Sequence, residues 1–239
     1  MLKIDHSAAE PIYMQICRQL KKQIISGELK PGDKLPSERE LAAQARISKS
    51  AVHFAMAELE RLGFVKTNAR HGTYVSDYAK DGTIETLSLL VNFSGESFLE
   101  RNRMEDMLEM RMAIEGKAVE RLAETLTKES VALLEEDIQR AEKTAAEKAD
   151  PHSLALCFFD FHHDICFVSG NFILPLLFNS FRIVTLSYWE HAIRILGKEE
   201  CIKLMYDLLD VIRKRDADLS VAFLRDEFKL FLRLVEQRR

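Results

Sequence analysis

The sequence predicts a mainly α chain in two parts: a small N-terminal α+β module, then an all-α antiparallel bundle of about seven helices. Three observations predict it. Two short capped helices joined by a tight turn run from Leu35 to Leu62. A basic tip, Arg70–His71–Gly72, leads into the extended run Thr73–Tyr74–Val75. Beyond Val75, apolar residues recur at helical spacing with almost no strand signal.

The first helix opens at Pro11–Ile12–Tyr13 and ends near Ser26–Gly27. Pro36 stops any helix before it, and Ser37 and Glu40 stand at capping-box spacing, so each side chain satisfies a backbone N–H at the start of the next helix. Leu41 and Ala42 give that helix an inward face. Ser48 caps the third helix, whose buried stripe is Val52, Ala55, Leu59 and Leu62, and Gly63 ends it in the left-handed conformation. Ser48, Lys49, Ser50, Ala51 and His53 are left on its exposed first turns. A helix start bearing small and basic residues, followed by a basic hairpin, is how a winged helix–turn–helix enters the major groove of duplex DNA. The DNA-facing candidates are Ser48, Lys49, Ser50 and His53 on the helix, and Arg70, His71 and Gly72 on the wing.

Ser76–Gly82 reads as a short polar linker, which divides the chain into residues 1–78 and 79–239. The second part opens with a helix at Thr83–Val91, followed by Phe98–Leu122. Thr127 caps a charged surface helix over Lys128–Glu147. Pro151 starts a helix through Val168, stopped by Ser169–Gly170–Asn171. Helices near 172–196, 199–214 and 217–237 complete an antiparallel bundle.

Composition bounds the function. Residues 1–78 hold 12 Lys+Arg against 9 Asp+Glu, and the remainder 22 against 29, so a net charge of −4 conceals a basic module on an acidic body. That distribution fits a chain that touches nucleic acid at one end. The four cysteines lack CxxC spacing and lie in apolar contexts, as buried thiols of a reducing cytosol do. Met1–Glu10 is too polar for a signal peptide, and no run of about 18 uncharged apolar residues exists to span a membrane. The expected location is cytoplasmic. No nucleophile–base pair, phosphate loop or metal cluster supports an enzyme, and no cofactor is expected.

Residues 10–76 resemble the GntR family of bacterial transcription regulators. Pro11–Ile16, then Leu29–Lys30–Pro31–Gly32–Asp33–Lys34–Leu35–Pro36–Ser37–Glu38–Arg39–Glu40–Leu41, carry the likeness. It implies that Arg39 approaches DNA from the first helix of the motif and that Gly72 lets the wing backbone enter the minor groove. Lys49 and His53 stand where arginines are usual and Phe54 where a glutamate is usual, so the operator of better-known relatives does not transfer. Lysine is a point charge where arginine forks to guanine.

Residues 83–237 resemble the FCD domain of the FadR branch of that family. Met107–Glu115 with its Arg and Glu four apart, Phe161–His162 before Ser169–Gly170–Asn171, and Leu208–Ile212 before Asp216–Ala217–Asp218 carry this likeness. Many FCD domains hold a metal through one Asp and three His. Here the corresponding positions are Phe158, His162, Met205 and Glu227, which do not supply a donor set for a divalent ion. The expectation is an apolar chamber without metal, walled by Phe158, Phe161, Met205, Tyr206, Leu209, Trp189 and Tyr188. Arg111 is the anchor for an anionic group unless it pairs with Glu115, and Arg111, Phe158, His162, Met205, Tyr206 and Glu227 are the effector-site candidates. A second constellation, Asp160, His163 and Asp164, lies on the opposite face of its helix.

The sequence thus points to a homodimeric regulator that binds palindromic duplex DNA and responds to an apolar, anionic effector, either of fatty-acyl type or an organic acid. Three alternatives make different predictions. A metal-dependent sensor of a small carboxylate would carry a divalent ion, an enzyme would turn over a ligand, and an architectural DNA-binder would ignore effectors.

Overall fold

The computed structural model describes residues 2–5, 7–94, 101–147 and 150–237. The chain divides into two compact units, Met1–Phe93 and Ser94–Arg239.

The first unit holds α1 (Ile12–Ile25), α2 (Glu38–Ala45), α3 (Lys49–Arg61), β1 (Val65–Asn68), β2 (Gly72–Val75), α4 (Tyr78–Asp81) and α5 (Ile84–Ser94). Ile16, Leu20 and Ile24 of α1 share one core with Val52, Ala55 and Leu59 of α3 and with Phe64, Val65 and Val75 of the hairpin. The caps are those the local chemistry dictates. Ser37 Oγ accepts from Glu40 N while Glu40 Oε2 accepts from Ser37 N at 2.8 Å, and Ser48 Oγ accepts from Ala51 N at 3.2 Å. Between them Arg46, in the left-handed region, makes the turn of the helix–turn–helix.

The hairpin is antiparallel, Val65 opposite Val75 and Asn68 opposite Gly72. It does not stand alone. Gly32 N and Leu35 N donate to Val75 O and Thr73 O, and Val75 N donates to Asp33 O, all at 2.9 Å. The segment leading into α2 therefore pairs with β2, so wing and helix–turn–helix are one block.

The module is longer than expected. Ser76–Gly82 is not a free linker: Ser76 is buried, Asp77 caps α4, and the Tyr78 ring lies 6.1 Å from that of Phe64. In α5, Thr86 Oγ1 donates to Leu62 O at 2.6 Å in a buried setting, and Leu89 packs on the module core. The boundary expected at 78/79 thus falls inside the first unit, and α5 belongs to the module rather than the bundle. Gly63 makes this possible, since a Cβ there would meet the Asp81 carbonyl at 2.5 Å, and its φ of +73° suits glycine.

The second unit holds α6 (Arg101–Thr125), α7 (Lys128–Ala146), α8 (Pro151–Val168), α9 (Ile173–Ser180), α10 (Arg182–Leu196), α11 (Lys198–Arg213) and α12 (Ala217–Gln237). The expected start of α6 at Phe98 lies outside the described residues. Helix α8 is the hub, packed by α6, α7, α9 and α10, while α12 lies along α6. Its sequence explains this, because Phe158, Phe159, Phe161, Ile165 and Cys166 bury nearly every side of it. The expected helix over 172–196 is two, broken at Phe181, which leaves the helical region just where Ser180 Oγ turns back to Leu176 O. The seven helices of the bundle among the described residues are therefore reached with α5 removed and α9 separated from α10.

The four cysteines are buried and free. Among the described residues, no helix is long and apolar enough to cross a membrane. Around α9 the surface is apolar: Phe167, Phe172, Ile173 and Leu176 are exposed, Phe172 to 80%. Phe167, Phe172 and Leu176 border a hollow of about 410 Å³ that also takes in His163 and Asn179. From Phe167 to Phe181 the chain carries no Asp, Glu, Lys or Arg.

Candidate functional site

In the module, α3 buries Val52, Ala55, Met56 and Leu59 and leaves Lys49, Ser50, His53, Phe54 and Ala57 exposed on one stripe. Their spacing of one and four residues places them on successive turns of a single face. Lys49, Ser50, His53, Phe54 and Glu38 line a shallow hollow of about 300 Å³. Glu38, at the start of α2, holds His53 Nδ1 at 2.9 Å. Sequence reasoning missed Glu38, whose relation to a residue 15 positions on is set by helix crossing alone.

The wing forms a second hollow of about 640 Å³ with the segment before α2, lined by Lys34, Ser37, Gln44, Arg70, His71 and Gly72 among others. Arg70 and Gly72 both have positive φ, which turns the chain sharply at the tip. Tyr74 Oη donates to His71 O at 3.2 Å and steadies it. Lys34, also missed from sequence, bridges to Tyr74 and lies 5.8 Å above its ring. Ser48 spends its hydroxyl on the cap, and Arg39 lies on the exposed start of α2.

In the bundle, Arg111 and Glu115 of α6 and His162 of α8 form a buried ionic cluster. Arg111 Nε and Nη2 donate to Glu115 at 2.5 and 3.0 Å, and His162 Nδ1 lies 2.7 Å from Glu115 Oε2. Aromatic rings enclose it. The Arg111 guanidinium sits 4.7–5.1 Å from the rings of Phe228, Tyr188 and Trp189, and His162 stacks on Trp189 at 5.0 Å. Phe158 packs on the same Trp189 at 5.1 Å.

The charges tune one another. Burial pushes the Glu115 carboxyl up, but Arg111 and His162 override it and hold it near about 2. Burial lowers His162, which favours its neutral form despite Glu115. Glu227 on α12 is half-buried, and desolvation raises it to about 8, with Glu115 adding to the shift and Arg111 opposing it. Arg111 Nη1, Thr185 Oγ1 and Trp189 Nε1 are buried and have no hydrogen-bond partner among the described residues. Met205 is buried on α11, but Tyr206 is not in the chamber. It is 38% exposed, and Glu142 on the outside raises its hydroxyl further after desolvation. Adjacent helical residues point about 100° apart, and the rotation of α11 turns Met205 inward and leaves Tyr206 at the surface.

Residues 12–75 match the family described as "Bacterial regulatory proteins, gntR family", and residues 106–229 match the "FCD domain". The chain belongs to the GntR family and carries an FCD domain. It is 45% identical over 85 residues to the HTH-type transcriptional repressor YtrA of Bacillus subtilis, across 36% of this chain and 65% of YtrA. The match thus spans just under two thirds of YtrA. The uncharacterized HTH-type transcriptional regulator YcbG of the same organism is 27% identical over 218 residues, 90% of this chain and 86% of YcbG. A solved structure titled "Lar controls the expression of the Listeria monocytogenes agr system and mediates virulence" superposes with a TM-score of 0.62 at 14% identity, over 98% of this chain and 100% of that one, which shows a shared fold. GntR regulators with an FCD domain bind DNA and sense small molecules; they are transcription factors, not enzymes.

The metal of many FCD domains does not fit this GntR chain. Of the four corresponding positions, Phe158 has no donor atom, Met205 has only a thioether, and His162 is engaged by Glu115 and Trp189. Among the described residues, no three His, Cys, Asp or Glu side chains converge as a metal site. The second constellation is an electrostatic knot. Arg140 joins Asp137 and Asp160, and His163 bonds Asp164 at 2.9 Å and Asn179 at 3.1 Å.

Proposed function

We propose that this chain is a homodimeric, effector-responsive regulator of the FadR branch, acting in the cytoplasm on a palindromic operator. The observation that carries the DNA-binding reading is the exposed stripe of α3 beside the basic wing. Arg39, Lys49, Ser50 and His53 enter the major groove, Ser48 lies beside them at the start of α3, and Arg70, His71 and Gly72 reach the adjacent minor groove. A two-fold dimer requires a two-fold site, with half-sites about one helical turn apart or closer.

The apolar surface around α9 supports dimerisation. Its exposed side chains offer on the order of 500 Å² per copy, so about 1,000 Å² for a pair meets the lower threshold for a biological interface. Because it lacks charge, two acidic bundles meet there without like-charge contacts.

The effector reading rests on the buried donors. Arg111 Nη1 is an unspent cationic donor within a wall of Phe158, Tyr188, Trp189 and Phe228. Such a wall with a few polar anchors suits an apolar chain ending in an anionic group. His162, Met205 and Glu227 complete the chamber, which works without a metal. The effector changes operator affinity by the difference in its affinity for the free and DNA-bound arrangements.

The test is a competition titration of the full-length protein on selected and random duplexes at fixed salt, repeated with long-chain acyl-CoA, fatty acid and small dicarboxylates. Sequence preference and release by an acyl ligand support the reading. Equal affinity for all duplexes refutes the operator, and release by dicarboxylates alone refutes the apolar chamber.

A further inference from the structure

Phe54 stands on the groove-facing stripe of α3 and is 64% exposed. Its backbone neighbours Val52, Ala55 and Met56 point into the core, so the helix register fixes Phe54 outward. It shares its hollow with Lys49 and Ser50, each able to donate a hydrogen bond, with the polar ring of His53, and with Glu38, which accepts from His53. Its ring centroid lies 6.3 Å from that of His53, tilted by 54°, and His53 is itself held by Glu38, so the ring has a firm neighbour on one side and solvent on the other.

Such a ring adds nothing to the core and offers no donor or acceptor. In the major groove the edges of the bases present hydrogen-bonding groups with one apolar exception, the thymine 5-methyl. An aromatic ring amid Lys, Ser and His on a recognition helix therefore has one base feature that rewards it. We propose that Phe54 is a specificity-determining residue that reads a thymine methyl in each operator half-site.

This deepens the regulator reading and rests on it. Phe54 also discriminates against guanine and cytosine at that step, because a ring pressed on a polar base edge leaves its groups without water or partner. His53, tied to Glu38, is the lateral wall that keeps the ring over the methyl. Removing one methyl from such a contact loses about one buried carbon's transfer free energy, which corresponds to roughly a three- to tenfold loss of affinity.

The experiment uses the full-length protein. Operator duplexes are first enriched from a random pool. Wild type and Phe54→Ala are then titrated with the enriched duplex and with duplexes in which single thymines are replaced by deoxyuridine, which removes only the 5-methyl. The expected result is one thymine per half-site whose replacement weakens wild type roughly three- to tenfold and leaves Phe54→Ala within error of its own value. Circular dichroism of Phe54→Ala verifies that the fold is intact, as the exposure of the side chain requires. If no thymine shows a methyl-dependent loss, or if both proteins lose equally, the inference is overturned while the DNA-binding reading stands. A protein that enriches no sequence overturns both.

Discussion

Replacing Arg111 by Met removes one charge from the buried cluster and keeps an apolar side chain of similar reach. Glu115, almost wholly inaccessible, is then left with His162 as its nearby partner at 2.7 Å, and burial lowers the charged form of that histidine. Breaking one partner of a buried pair costs about 3–5 kcal/mol, because the remaining charge is uncompensated. For a chain of this size, each kcal/mol shifts Tm by roughly 2–4 °C, so Arg111→Met should melt about 6–20 °C lower. The double variant Arg111→Met/Glu115→Leu removes both charges and should recover most of the loss. The pH dependence has a definite sign. In wild type, Glu115 is held at about 2, below its unfolded value of 4.5, so its contribution is present above about pH 4.5 and fades as pH falls towards 2. Without Arg111 burial dominates and raises the carboxyl, so the deficit of the single variant should be larger at pH 7 than at pH 4.5. Urea unfolding followed by far-ultraviolet circular dichroism at both pH values measures it. A single variant within about 1 kcal/mol of wild type, or a double variant no more stable than the single, would refute the view that Arg111 is held by compensating charge.

Gly63→Ala should destabilise the N-terminal module by more than about 1 kcal/mol, since the new Cβ meets the Asp81 carbonyl and φ is positive; an unchanged urea midpoint would count against it. Asp137 has its carboxyl raised to about 7 by burial, with Asp164 adding to the shift against Arg140, so its stabilising contribution is full below about pH 4 and is lost as pH rises through 7. Asp137→Asn should therefore gain on wild type by on the order of 1–3 kcal/mol at pH 8 and lose that advantage at pH 4.5, read by thermal melts at the two pH values. Phe172→Asp puts a charge in the apolar surface around α9 and should turn a dimer into a monomer by light scattering at micromolar concentration, with the far-ultraviolet circular dichroism preserved because the side chain is exposed in the single copy, and with a lower melting temperature because the stabilisation by the partner is lost. A variant that remains dimeric would move the interface elsewhere.

Features that depend on neighbours in the chain were legible before the structure. Ser37 with Glu40, Ser48, Thr127 and Pro151 act within a turn of themselves, so their side chains announce where helices begin. The helix over Pro151–Val168 has both ends written locally. The α3 stripe was legible for the same reason, because helical periodicity divides core from surface. What escaped depends on contacts across the fold. The pairing of Glu38 with His53 follows from the way α2 crosses α3, and Lys34 meets the wing only after the hairpin folds back. Whether Met205 or Tyr206 faces inward turns on the rotation of α11, which two adjacent large side chains leave ambiguous. The allegiance of α5 rests on contacts across the fold, the buried hydrogen bond from Thr86 Oγ1 to Leu62 O, joining residues 24 apart, and Leu89 against the module core. Arg111 was nominated as an anion anchor or as a partner for Glu115; the pairing is formed, and one guanidinium nitrogen is left over.

The stripe of Lys49, Ser50, His53, Phe54 and Ala57 carries none of the packing that holds α3 in place. Those side chains face away from the core residues Val52, Ala55, Met56 and Leu59. Exchanges on that face are close to neutral for folding, since surface substitutions usually change stability by no more than about 0.5 kcal/mol. On the proposed DNA-binding reading, recognition and foldability therefore occupy separate sides of one helix and are free to change independently. A duplicated copy of such a gene can acquire a new target sequence by a few surface substitutions, and the scaffold demands no compensating change elsewhere.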